Sequence, residues 1–141
     1  MTDKWLPEQR SRMMSRVKST DTKPEMQVRK TLHRLGYRYR LHDRKLPGKP
    51  DIVLARHKKI IFVHGCFWHG HNCPKGSRPT SRIEFWNEKL DRNIERDSTA
   101  QAKLLSMGWS VLVVWECQTK NDQLEKLLTT FMNDNGQKVK T

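Results

Sequence analysis

PDIVLARHKKIIFVH, residues 50–64, decides how this chain folds. Two apolar runs, Asp51 to Ala55 and Ile60 to His64, flank the polar Arg56-His57-Lys58-Lys59. β-Branched and aromatic residues around a polar break read as the two strands of a hairpin. With the turn centred between His57 and Lys58, Asp51 falls opposite His64 on one face, Cβ atoms about 4.5–5.5 Å apart. Asp51 follows Pro50, which suits a sheet edge. A carboxylate there, beside a backbone carbonyl of the next strand, fits Mg²⁺, which takes few protein oxygens and keeps the rest for water or phosphate. Aspartate is also a common turn residue, so on the residues alone a plain strand end is the favoured reading.

Upstream, Tyr37, Tyr39 and Leu41 alternate with Arg38, Arg40 and His42, a third strand signal. Before it, Thr22 and Glu25 form a capping-box pattern with Pro24 in the first turn. Met26, Val28, Leu32 and Leu35 continue that helix, and Gly36 ends it. Pro7 to Ser19 reads as a further helix, with Met13, Met14 and Val17 among four arginines and lysines. Downstream, Ser81 and Glu84 open a long helix over about 82–107, with Ile83, Trp86, Leu90, Ile94, Leu104 and Leu105 on one face and Gly108 as its stop. Ser110 to Glu116 is a buried strand, about Asp122 to Met132 a last helix, and 134–141 a polar, frayed tail. The order α-α-β-β-β-α-β-α predicts one α/β domain over 1–141, a mixed central sheet flanked by helices on both faces.

The 141 residues carry 28 Lys and Arg against 15 acids, a net +13. Residues 1–49 hold 14 of the cations and five acids, a net +9. That asymmetry points to a polyanion partner, nucleic acid first, with residues 1–20 as a DNA-contacting helix. The longest apolar run, Val111 to Trp115, is far short of the roughly 20 residues of a membrane span. The N-terminus has no apolar signal-peptide core, so a cytoplasmic protein is expected, nucleoid-associated when acting, with no membrane partner and monomeric.

His and Cys recur through residues 64–73, and Cys117 ends the later strand. Cys66, His71, Cys73 and Cys117 would use each of the three cysteines once and close a tetrahedral Zn²⁺ site, structural because it leaves no open position. Buried free cysteines with surface histidines are the plainer alternative. Phe67 and Trp68 in that loop suit either core filler or a wedge between base pairs, and Trp86 on the apolar helix face reads first as core.

The order Pro50-Asp51 … Phe62-Val63-His64-Gly65-Cys66-Phe67-Trp68-His69 closely resembles the very short patch repair (Vsr) endonucleases. The similarity runs from about Arg10 to Cys117. It includes Ser19-Thr20-Asp21-Thr22, Leu46-Pro47-Gly48-Lys49-Pro50-Asp51, Glu84-Phe85-Trp86, Asn93-Ile94-Glu95-Arg96-Asp97 and Val114-Trp115-Glu116-Cys117. The resemblance implies a restriction-endonuclease-like fold and Mg²⁺-dependent nicking of one DNA strand, 5′ to the thymine of a T·G mismatch arising from 5-methylcytosine deamination. It implies metal binding by the Asp51 carboxylate and the Val63 main-chain carbonyl, and His69 as general base. Glu25, His64 and Asp97 complete the active site, and Cys66, His71, Cys73 and Cys117 hold structural zinc. Phe67, Trp68 and Trp86 form the wedge, with Met14 pressing in from the minor groove. A cytosine-5 DNA methyltransferase is the implied functional partner. Phe62 and His64 stand where related nucleases carry an acid and a lysine, a replacement that itself characterises Vsr. Two other readings fit the charge and the loop: a non-catalytic zinc-stabilised DNA-binding module, and a nuclease of the same fold without mismatch dependence.

Overall fold

The computed structural model describes residues 21–120, 122–134 and 139–140. The expected helix over 7–19 and Met14 lie outside the described residues.

Thr22 is extended and accepts the Glu25 N–H at 3.3 Å through its hydroxyl, which starts α1, Lys23–Arg34. The glutamate of the expected capping box is turned elsewhere: its carboxylate meets Arg29 at 3.3 Å and His42 at 2.9 Å. The strand read over 37–42 contracts to β1, Arg40–Leu41. His42 ends it by taking a φ of 50°, in the left-handed region.

The hairpin forms as β2, Ile52–Leu54, and β3, Lys59–His64. Its register differs from the expected one by two residues. Ala55–His57 coil into a 3₁₀ turn closed by Lys58 at φ 56°, so Ile52 pairs with Ile61 and Leu54 with Lys59. Asp51 therefore reaches the end of β3 diagonally and does not stand opposite His64. An even shift keeps every side chain on its expected face.

After a long loop come α2, Ile83–Ser106, then β4, Ser110–Trp115, and α3, Gln123–Asn133. The expected Ser81 cap is absent from α2. Arg82 holds the N-cap position at φ 51° with no side-chain cap bond. Part of the tail read as frayed is paired: β5, Val139–Lys140, lies parallel to Val111 and Leu112. The sheet order is β1-β2-β3-β4-β5, antiparallel through β3 and parallel from there.

Period-two alternation divides the core. Ile52, Leu54, Ile61, Leu112 and Val114 face α1 and α3, meeting Val28, Leu32, Leu124, Leu128 and Phe131. Val53, Ile60, Phe62, Val111 and Val113 face the other way, onto Leu104 of α2 and Trp109. The α2 stripe differs from the sequence reading, since Ile83 is 54% and Ile94 38% exposed. Its buried positions are Trp86, Leu90, Ala100 and Leu104. Steps of three and four through that stripe pass over Asn93 and Asp97, two polar residues turned toward the sheet end. No described helix is long and apolar enough to cross a membrane.

Lys59 opens β3 at 5% exposure. Its Nζ donates to the carbonyls of Phe131, Met132 and Asp134, at 2.5, 2.9 and 2.5 Å, at the C-terminal end of α3. A cation there meets the negative pole of the helix and satisfies carbonyls that lack helical partners. Lys59→Met is expected to lower unfolding free energy by about 1–3 kcal/mol, read as a lower urea midpoint at unchanged slope. An unchanged midpoint would mean that the cost of burying the ammonium cancels its bonds.

Candidate functional site

β3 and β4 run parallel with His64 beside Trp115. Two residues beyond each lie Cys66 and Cys117, so strand register brings the two thiols to one sheet end. The loop after β3 adds His71 and Cys73. One donor atom from each of the four lies within 4.8 Å of all the others, and Cys117 Sγ is 3.5 Å from His71 Nδ1. A tetrahedral zinc site with Zn–S of about 2.3 Å has edges near 3.8 Å, so the donors need close only slightly on an ion. Three thiols and an imidazole are a soft set suited to zinc. Burial pushes the Cys66 thiol up to about 12. Burial also raises Cys73, but hydrogen bonds from Cys66 and from the Gly76 and Lys75 backbone outweigh it and bring Cys73 below its usual value. The loop closes only around a glycine: a Cβ on Gly76 would sit 1.9 Å from the His71 carbonyl oxygen.

On the α2 side of the same sheet end lie His64, His69 and Asp97. His69 Nδ1 is 2.5 Å from Asp97 Oδ2, and its ring stacks on His64 at 3.8 Å and 6°. His64 is 5% exposed, and its Nδ1 is buried without a hydrogen-bond partner, 4.0 Å from the same carboxylate. Burial, then repulsion from His69, lowers His64 to about 3 against the pull of Asp97. His64 is therefore neutral at physiological pH. With Nδ1 of His69 tied to Asp97, Nε2 is left for the open cleft of about 480 Å³ lined by Lys49, Trp68, His69, Asn93, Arg96 and Asp97.

Asp51 joins this group from β2. Its Oδ2 accepts the Val63 N–H at 2.7 Å. A strand residue points its N–H and C=O to one side, so the Val63 carbonyl faces Asp51 too, past the last β2 pair at Ile52–Ile61. Burial, with the Glu25 charge adding to it, raises Asp51 to about 6. The Val63 N–H, His42 and His69 oppose that rise. Behind it, Glu25 is 1% exposed and held by Arg29 and His42. Asp51, Val63, Glu25, His64, His69 and Asp97 are thus gathered at one place.

The aromatic group is adjacent. Phe67 meets Trp68 and Trp86 edge-on, with centroids 5.2 and 5.5 Å apart. Phe67 and Trp68 are half-buried, whereas Trp86 is 1% exposed. Trp86, read first as core from its helix face, sits on the inward stripe of α2 and floors the pair. Lys89 Nζ lies 5.4 Å from the Trp68 ring.

Sequence reasoning missed Asn93, His42 and Arg29. Asn93 donates to the Trp68 carbonyl at 3.1 Å and so holds the ring pair to α2. Its signal was available, as a polar residue in an inward stripe. His42 reads from alternation as outward-facing, and only its left-handed φ turns it onto Glu25.

A family model described as DNA mismatch endonuclease Vsr matches residues 2–75. The type II nicking enzyme V.XorIIP of Xanthomonas oryzae pv. oryzae is 49% identical over 118 residues, 84% of this chain and 87% of that protein. V.NmeAIP of Neisseria meningitidis, also a type II nicking enzyme, is 49% identical over 121 residues, 86% of each. The DNA mismatch endonuclease Vsr of Escherichia coli is 43% identical over 108 residues, 77% of this chain and 69% of that protein.

A carboxyl whose pKa is raised by folding supports stability below its unfolded pKa, near 3.8, and loses that support as pH rises through about 6. In metal-free protein, Asp51→Asn is therefore expected to raise unfolding free energy at pH 7.5 by about 1–3 kcal/mol and to have little effect at pH 4. Denaturant melts at the two pH values check this; a gain of equal size at both would assign it to packing.

Proposed function

Since the chain belongs to the Vsr family of DNA mismatch endonucleases, it is an endonuclease that nicks DNA at a mismatch, and we propose that its target is the T·G pair left by 5-methylcytosine deamination, cut 5′ to the thymine. The observation that carries this reading is the His69–Asp97 pair at 2.5 Å, opening on a cleft whose wall is the neighbouring Trp68. A proton acceptor and a stacking ring are then one residue apart. That substrate links the chain functionally to a cytosine-5 DNA methyltransferase. The mixed sheet with α2 across one face supports a restriction-endonuclease-like core.

In this reading His69 takes a proton from the attacking water at Nε2, and Asp97 orients the ring and stabilises the imidazolium. His64, neutral and stacked flat, fixes the ring plane without adding a repelling charge. The Asp51 carboxylate and the Val63 carbonyl would hold Mg²⁺, with Glu25 adding negative charge behind them. That ion, when bound, supplies Lewis-acid stabilisation of charge on the phosphoryl oxygens. Asp51 fits this task, since a carboxylate held near pH 6 by burial gains most from a cation that offsets the burial. Cys66, His71, Cys73 and Cys117 would hold one structural Zn²⁺, which pins the Phe67-Trp68 loop to the strand end.

Phe67 and Trp68 read the mismatch by cost. Unstacking a step costs a few kcal/mol, and base–aromatic stacking returns about 1–3 kcal/mol. A wobble pair stacks less well, so insertion wins there first. Trp86 backs the two rings and reaches a base only if they part.

Two experiments test this reading. With Mg²⁺, wild-type protein should nick a T·G duplex and spare the T·A duplex. Asp51→Ala and His69→Ala should still bind T·G duplex but nick it at least about 100-fold more slowly, the range of a lost acid–base group. Equal cutting of both duplexes removes mismatch dependence, and binding without nicking by wild type returns the chain to a non-catalytic module. Separately, metal analysis should find about one zinc per chain. Cys117→Ser should lose that zinc together with thermal stability, because it ties β4 to a distant loop; an unchanged melt would sink the structural role.

A further inference from the structure

Next to the Cys66, His71, Cys73 and Cys117 cluster, which Glu116 joins through the Cys66 N–H, is a further cleft of about 390 Å³ that the nicking chemistry does not use. Lys23, Lys75 and Lys120 line it, together with Pro24, Gln27 and Glu116. The three lysines come from separate parts of the chain. Lys23 opens α1, two residues before Glu25. Lys75 stands two residues after Cys73, and Lys120 three after Cys117. The two cysteine-bearing segments therefore deliver one cation each to the same cleft.

Like charges on long, flexible side chains normally spread apart in water. Here three ammonium groups share one lining carboxylate, Glu116. Its Oε2 is 3.7 Å from Lys75 Nζ, while its Oε1 accepts the Cys66 N–H at 3.5 Å. The cleft is left with an excess of two positive charges, which suits a monoanionic phosphodiester. We propose that the cleft of Lys23, Lys75 and Lys120 binds one backbone phosphate of the substrate duplex, away from the bond that is cut. This rests on DNA being the substrate. It gives the cysteine cluster a second consequence, since the cluster that pins the aromatic loop also sets two of the phosphate-binding lysines.

Binding is measured without Mg²⁺, so that nicking does not enter and failure of the catalytic reading leaves the result standing. The probe is a T·G duplex carrying a single neutral methylphosphonate, moved one linkage at a time along each strand. Wild-type protein should lose affinity when the substitution reaches one linkage away from the cut. Lys75→Gln/Lys120→Gln should bind about tenfold more weakly at low salt and be indifferent to that linkage. Its plot of log Kd against log salt should be shallower by about 0.9, the value for one phosphate contact. Lys23→Gln, remote in sequence from the cysteines, should show the same indifference with unchanged zinc content and melting temperature. Equal sensitivity of wild type and both variants at every linkage overturns the proposal. So does saturable occupation of the cleft by inorganic phosphate with no linkage tied to the lysines, which would make it a free-anion site.

Discussion

The parallel pairing of β3 with β4 is the constraint on which the rest depends. Six residue pairs run from Lys59–Ser110 to His64–Trp115, with almost every side chain buried. Because His64 lies beside Trp115, Cys66 and Cys117 leave the sheet side by side. A slip of one residue would exchange the two faces of a strand buried on both, at the cost of its whole core. The positions of Cys66 and Cys117 are thus set by strand register, and a metal bound there would act on donors already close. The Phe67-Trp68 loop, the His69 ring and the Lys75–Lys120 pair all follow from that sheet end.

Stability is given up at the same place. Asp51 is buried where its charged form is disfavoured, and His64 is buried as a neutral ring with a nitrogen that has no partner. Such groups persist when the surrounding fold overdetermines them. Here Phe62 sits at 5.5 Å from His64, and Trp115 closes its edge at 5.4 Å. The cost is local, and under the proposed mechanism its benefit is chemical, since an uncharged His64 would let His69 accept a proton without facing a second cation.

Recognition and chemistry occupy neighbouring residues. Trp68 and His69 are consecutive, and α2 holds one through Asn93 and the other through Asp97, one helical turn apart. In the proposed mechanism, movement of the aromatic pair on a distorted duplex would be felt directly at His69. Gly70 follows at φ 65°, where a Cβ would press within 2.6 Å of Ile94, so the loop rests on α2 at the next residue too. Under the proposed function this short lever would couple sensing of the base pair to alignment of the reacting groups.

Much of this was legible in the residues themselves. Alternation and runs of apolar residues located β2, β3 and β4, and Gly36 and Gly108 marked the ends of α1 and α2. The cysteines and histidines declared a soft donor set by type and number alone. The remaining candidate residues came from the family motif, and the fold brings Asp51, Val63, Glu25, His64, His69 and Asp97 to one sheet end. Three matters were decided only by tertiary structure. The hairpin register depended on a 3₁₀ turn with Lys58 left-handed, and local propensity does not distinguish that turn from its neighbours. The inward faces of Ile83 and Ile94 failed because helical period shows which residues share a stripe, not which stripe meets the sheet. His42 and Glu25 found each other across the chain because one left-handed residue turned a side chain inward, and backbone conformation of that kind is settled by what it packs against.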